Sequence, residues 1–142
     1  MGLMRFRVWH KDGKVMLSNY LGFTITDAGQ LLIESMLGDE ETMEKVGLDN
    51  YIVMQYTGLK DKNGVEIYEG DIVERTYLFA GGYGETHTGE VVYDEEYARY
   101  VISRPQKYIE PKTEDLRNTL SDRSTYEVIG NIYENPELSE EK

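Results

Sequence analysis

The sequence predicts a mainly β fold of the α+β type, and three observations carry that expectation. Residues 51–74 pack two strand-like runs and two glycine turns into a short span. Tyrosine is heavily used, with 12 residues against 3 Phe and 1 Trp, and it suits small sheets that bury the ring and leave the hydroxyl wet. Asp-Gly and Asn-Gly pairs fall between apolar runs, where tight hairpins need them.

Met4–His10 alternates, with Phe6 and Val8 on one face and Arg5, Arg7 and Trp9 on the other. Asp12-Gly13 then returns the chain through Val15, Met16 and Leu17, so residues 4–21 read as an N-terminal β-hairpin closed by a two-residue turn. From Thr26 the apolar period changes. Ala28, Leu31, Leu32 and Met36 sit at helical spacing, with Thr26 or Asp27 as cap and Gly38 as stop. Asp39, Glu40 and Glu41 resemble the acidic first turn of a second helix, with Met43 and Val46 apolar and Gly47 ending it. One or two short helices are expected at about 27–46.

Tyr51–Tyr56 is rich in β-branched and aromatic residues and predicts a buried strand. Asn63-Gly64 supplies the two positive φ angles of a type I′ turn, placing 59–62 and 65–68 as hairpin arms. Glu69-Gly70-Asp71 is a second turn, opening a strand expected to run to Phe79. Gly81-Gly82-Tyr83-Gly84 predicts a flexible loop or hairpin tip. Gly89–Asp94 is the next strand. Asp94-Glu95-Glu96 is its turn, and Tyr97–Ser103 follows, with Tyr97 and Val101 on a shared face and Pro105 as the end. Residues 106–124 carry the weakest pattern, with one or two helical turns over Glu114–Leu120. Tyr126–Tyr133 predicts a strand with Tyr126, Val128 and Ile132 on one face, Glu127 and Asn131 on the other. Residues 134–142 read as an acidic, frayed tail in which Leu138 can dock. The sum is one domain, 1–142, whose residues 51–133 form a small, partly open SH3-like barrel or meander.

The chain carries 15 basic and 27 acidic residues, a formal charge of −12. That balance opposes a nucleic-acid backbone or an anionic membrane as partner. With no cysteine, disulfides, thiolate zinc sites and cysteine nucleophiles are excluded. No apolar run approaches the ~18 residues of a spanning helix. Arg5 and Arg7 are followed by no apolar stretch of signal-peptide type. The expectation is a soluble intracellular protein.

His10 and His87 lie far apart in the sequence and lack a ligand spacing, so a shared metal is not expected. Gly81–Gly84 lacks the Gly-Lys-Ser/Thr ending of a phosphate loop, and a strand rather than a helix follows it. Asp94-Glu95-Glu96 and Asp39-Glu40-Glu41 suit a turn or helix start better than a cation site. Asp61-Lys62-Asn63-Gly64 resembles a fragment of a calcium loop but lacks the ligand spacing and closing glutamate. No serine or threonine sits in a nucleophile elbow. No catalytic, cofactor-binding or metal-binding residues are therefore assigned, and no cofactor is expected.

Three blocks resemble the YopX-like family of phage and prophage proteins. They are Arg5-Phe6-Arg7-Val8-Trp9, then Gln55–Gly64 followed by Glu66–Val73, and finally Tyr126–Leu138. The second and third match nearly residue for residue; 18–50 and 76–124 match only in character. The resemblance implies a small, mainly β protein of a bacteriophage or prophage acting in the bacterial cytoplasm, and it brings no established activity and no catalytic residues to carry over. Three functions remain, the last in rank an enzyme with an unfamiliar site, which would need a deep pocket with convergent polar groups and a perturbed titrating residue. The first is a non-enzymatic module that binds a host or phage protein, or a further copy of the chain, through an edge strand, a tyrosine face or the Gly81–Gly84 loop. The alternative is an acidic DNA mimic that inhibits a host nucleic-acid enzyme.

Overall fold

The computed structural model describes residues 5–17, 23–25, 28, 30–37, 40–45, 49–78, 84–104, 113–116 and 125–139. The described residues are almost entirely antiparallel strand and turn. They divide into two compact units, residues 3–55 and 56–142.

In the first unit, β1 (Phe6–His10) pairs with β2 (Val15–Leu17) and with the opening half of β6 (Tyr51–Lys60). The expected hairpin is present, but its turn differs. His10 pairs with Val15, so four residues make the connection, and Lys14 rather than Gly13 takes the positive φ of 52°. The alternation also reads differently in place. Val8 and Trp9, on opposite faces of β1, are both buried.

Among the described residues of 27–46 there is no helix; 31–37 and 40–45 form strands instead. β3 (Phe23–Ile25), β4 (Leu31–Leu37) and β5 (Glu40–Lys45) make a three-stranded antiparallel sheet. Ile25 pairs with Leu31, Phe23 with Ile33, and Glu34 with Met43. The apolar run 31–33 is short enough to satisfy either period, and the partner strand decides. β3 is made of an aromatic and two β-branched residues, and it offers Leu31–Ile33 a ladder in which they fit better than in an isolated helix. The acids at Glu40 and Glu41 begin a strand, not a helix turn. Asp27, Gly38 and Gly47 lie outside the described residues.

The second unit contains the closing half of β6, β7 (Glu66–Tyr68), β8 (Asp71–Leu78), β9 (Gly84–Asp94), β10 (Arg99–Ser103), β11 (Thr113–Asp115) and β12 (Thr125–Asn131). Five of these form one antiparallel sheet in the order β11-β10-β9-β8-β12. Its core is Ile67, Val73, Val91, Ile102, Leu116 and Tyr126, with Leu59, Tyr100 and Val128 packed against it. The meander expected from the turns is thus present. Of the helical turns expected over Glu114–Leu120, the first two residues are corrected: Glu114 pairs with Ile102 and Asp115 with Val101 as a strand; Leu116 is in 3-10 conformation, and residues 117–124 lie outside the description. β10 begins at Arg99, so Tyr97 belongs to the preceding turn and shares no strand face with Val101.

β12 carries a bulge between Val128 and Gly130, and the strand ends at Asn131 rather than Tyr133. Asn131 ends it with its side chain: Oδ1 accepts from Tyr133 N at 3.0 Å and Glu134 N at 2.8 Å. The acidic tail forms a 3-10 turn over Pro136–Ser139. A Cβ at Gly130 would lie 2.9 Å from Leu138 Cδ1, so Leu138 docks over that glycine.

Candidate functional site

The central block, residues 56–73, owes its shape to two buried aspartates. Asp61 is 7% exposed. Its Oδ1 accepts from Asn63 N at 2.8 Å and Val65 N at 2.9 Å; its Oδ2 accepts from Val128 N at 2.9 Å. The turn is closed by Gly64 N to Asp61 O at 3.0 Å and Asp61 N to Val65 O at 2.8 Å. Only Gly64 has positive φ, at 82°. The type I′ expectation is therefore corrected: the bend spans Asp61–Gly64 and places a single left-handed glycine after it. With its side chain taking over turn closure, Asp61 leaves Asn63 in ordinary backbone space. Burial alone would raise the Asp61 carboxyl, but the three backbone donors, helped by Lys62, outweigh it and hold the pKa below its ordinary value.

Asp71 does the same for the second turn. It is 1% exposed, and its Oδ2 accepts from Tyr68 N at 2.8 Å. Gly70 sits at φ 86°, donates to Val91 O at 2.9 Å and accepts from Ile132 N at 2.9 Å. Both aspartates are thus committed to backbone N–H groups, which answers the resemblance of Asp61–Gly64 to a calcium loop.

The remaining sequence candidates fall in structural roles or outside the description. His10 stacks on Tyr51 with centroids 4.6 Å apart and 7° between the planes, and its Nε2 lies 3.2 Å from Asn50 Nδ2. His87 sits half-buried on β9, across from Arg75. Asp94 Oδ1 accepts from Glu96 N at 3.1 Å, and Oδ2 lies 3.7 Å from Arg99 Nε, so this acid organises its own turn. Glu40 and Glu41 open β5. Of the glycine loop only Gly84 is described, as the first residue of β9; 81–83 and Asp39 are not. Among the described residues, no three or more His, Cys, Asp or Glu side chains gather as a metal site would require. No helix among them is long and apolar enough to cross a membrane.

What the structure assembles instead is a tyrosine surface at the end of the β9–β10 hairpin. Tyr93 and Tyr100 are cross-strand partners, their rings edge-on at 5.2 Å and 63°. Tyr97, in the connecting turn, is 65% exposed, and Tyr93 is 46% exposed. The Arg99 guanidinium lies 5.0 Å from the centre of the Tyr97 ring. The Tyr100 hydroxyl is pushed above its ordinary pKa, first by burial and then by the charges of Glu69 and Tyr93. The pairing was open to counting in the sequence: stepping outward from a four-residue turn at 95–98 gives 94 with 99 and 93 with 100. The three-residue turn at 94–96 with a strand from Tyr97 hid it.

The YopX protein family model matches residues 5–140. The chain belongs to the YopX family. Among solved structures, it is similar to protein EF1440 from Enterococcus faecalis, at 29% identity over 99% of this chain and 100% of that one, with a TM-score of 0.61. It also shares its fold with protein yopX from Bacillus subtilis, at 23% identity over 96% and 98% of the chains, with a TM-score of 0.64. No curated protein matches.

Proposed function

We propose that this YopX-family chain is a non-enzymatic module of a bacteriophage or prophage that binds another protein in the bacterial cytoplasm. One observation carries the reading. Large aromatic side chains, Tyr93 and Tyr97, stand exposed on a hairpin end whose flanking strands are anchored in the core through Val91 and Ile102. Exposed tyrosines on a rigid support are what interfaces favour, because the ring contributes contact area at little cost in side-chain freedom. The commitment of Asp61, Asp71 and Asp94 to backbone donors supports the same reading, since those carboxylates already have structural work. The bacterial setting draws support from the Enterococcus and Bacillus relatives, and the phage origin from the sequence resemblance.

The test is capture from lysates of infected bacteria on the immobilised chain, with a Tyr93→Ala/Tyr97→Ala variant in parallel. Retention of one specific protein by the natural chain and its loss from the variant is expected. Retention of no specific protein, or equal retention by the variant with its melting temperature unchanged, would overturn the assignment.

A further inference from the structure

The tyrosine hairpin has a chemical preference that can be read from what surrounds it. β9 runs on to Asp94, while β8 begins only at Asp71 and its pairing with β9 stops at Ile72 and Glu90. The Glu69-Gly70 turn therefore stands where β8 would otherwise continue, and extending the β8–β9 register by three steps from Ile72 and Glu90 brings Glu69 level with Tyr93. The bond from Gly70 N to Val91 O at 2.9 Å fixes it there. After burial, the charge of Glu69 is a further cause that raises the Tyr100 hydroxyl pKa. Two electron-rich rings set edge-on, with a carboxylate beside them, form a surface that attracts a cation by both the ring quadrupoles and the formal charge. The chain demonstrates the preference itself one turn away, where Arg99 lies over Tyr97. Its net charge of −12 draws basic partners over longer range.

We infer that Tyr93, Tyr100 and Glu69 form a receptor for one cationic side chain, lysine or arginine, presented by a basic segment of the protein partner. The inference rests on the module reading above and specifies its ligand chemistry. Arginine is the better fit of the two, because its flat guanidinium stacks on a ring face while its edge donates to a carboxylate.

The test uses the intact chain and three short blocked peptides, Gly-Arg-Gly, Gly-Lys-Gly and Gly-Gln-Gly, titrated by NMR with the tyrosine ring signals as readout. The arginine and lysine peptides should shift Tyr93 and Tyr100 saturably, and the glutamine peptide should not. Tyr93→Ala and Glu69→Gln should each weaken arginine binding about two- to fivefold, the size of one exposed cation–π or ion-pair contribution. Equal shifts from the glutamine peptide, shifts spread over the acidic surface without Tyr93, or no shift at all would overturn the inference. If any of these occurs while lysate capture still depends on Tyr93 and Tyr97, the module reading stands and only its cationic ligand falls.

Discussion

Asp61 Oδ2 accepts a hydrogen bond from Val128 N at 2.9 Å, joining residues 67 positions apart. The same carboxylate closes its own turn, so one buried side chain binds the β6–β7 arm to β12. Its removal orphans three backbone donors, each costing about 1–3 kcal/mol when left buried and unmade. Asp61→Ala should therefore lose on the order of 3–5 kcal/mol. Asp61→Asn keeps an acceptor oxygen but adds N–H donors where donors already point, and should lose an intermediate amount. Urea unfolding of both variants checks the order; an Ala variant as stable as the natural chain would remove Asp61 from this role.

The pH dependence should show two carboxyls working in opposite directions. Asp61 is held below its ordinary 3.8. Its contribution is then complete above the unfolded-state value and is lost as pH falls through the folded one. Glu90 is raised above its ordinary 4.5 by burial. The folded chain therefore favours its neutral form, and stability declines as pH rises from about the ordinary value through the raised one. Glu90→Gln should stabilise the chain at neutral pH and have no effect well below both values. Melting temperatures across the acid range, for the natural chain and both single variants, separate the two. A Glu90→Gln gain that persists unchanged at low pH would contradict the titration argument.

The sequence revealed the fold where turn chemistry and strand pattern agreed. Gly64, Gly70 and the alternation through Val73 and Val128 identify the meander without help, because a left-handed glycine and a period of two are local properties. The strands at 31–45 were not legible, because Leu31, Leu32 and Met36 fit a helix as well as a strand. What resolves them is the pairing with Phe23–Ile25, which is not a property of the stretch itself. The candidate site was half legible. The abundance of tyrosine pointed to an aromatic surface, but Tyr93, Tyr100 and Glu69 come together only through the turn length at 95–98 and the Gly70–Val91 bond.

Leu116 is a second case the pattern missed, lying in the stretch with the weakest signal. It is fully buried in the core of the second unit with Ile67, Val73 and Ile102. Leu116→Ala should cost about 2–5 kcal/mol, the transfer term plus the void left behind. A guanidinium melt that shows less than 1 kcal/mol of loss would place Leu116 at the surface in solution.

Gly64 and Gly89 make a contrasting pair for glycine replacement. At Gly64 a Cβ meets nothing within 4 Å, so the penalty of Gly64→Ala is conformational alone, about 1–2 kcal/mol for a left-handed φ of 82°. Valine there should cost somewhat more, since its branched Cβ fits that backbone worse. At Gly89 the backbone is ordinary, but a Cβ would stand 2.5 Å from Ile102 Cγ2 and 2.9 Å from Ser103 O. The Ile102 methyl can swing aside; the Ser103 carbonyl is held in the β9–β10 ladder and cannot move without breaking it. Gly89→Ala should therefore be the more damaging change, about 2–3 kcal/mol, and should loosen the ladder itself. Amide exchange distinguishes the two. Gly64→Ala should lower protection evenly across the second unit, while Gly89→Ala should lower it most at Ile102 and Val91, and the reverse pattern would show that the close approach of β9 and β10 at this point is not what Gly89 provides.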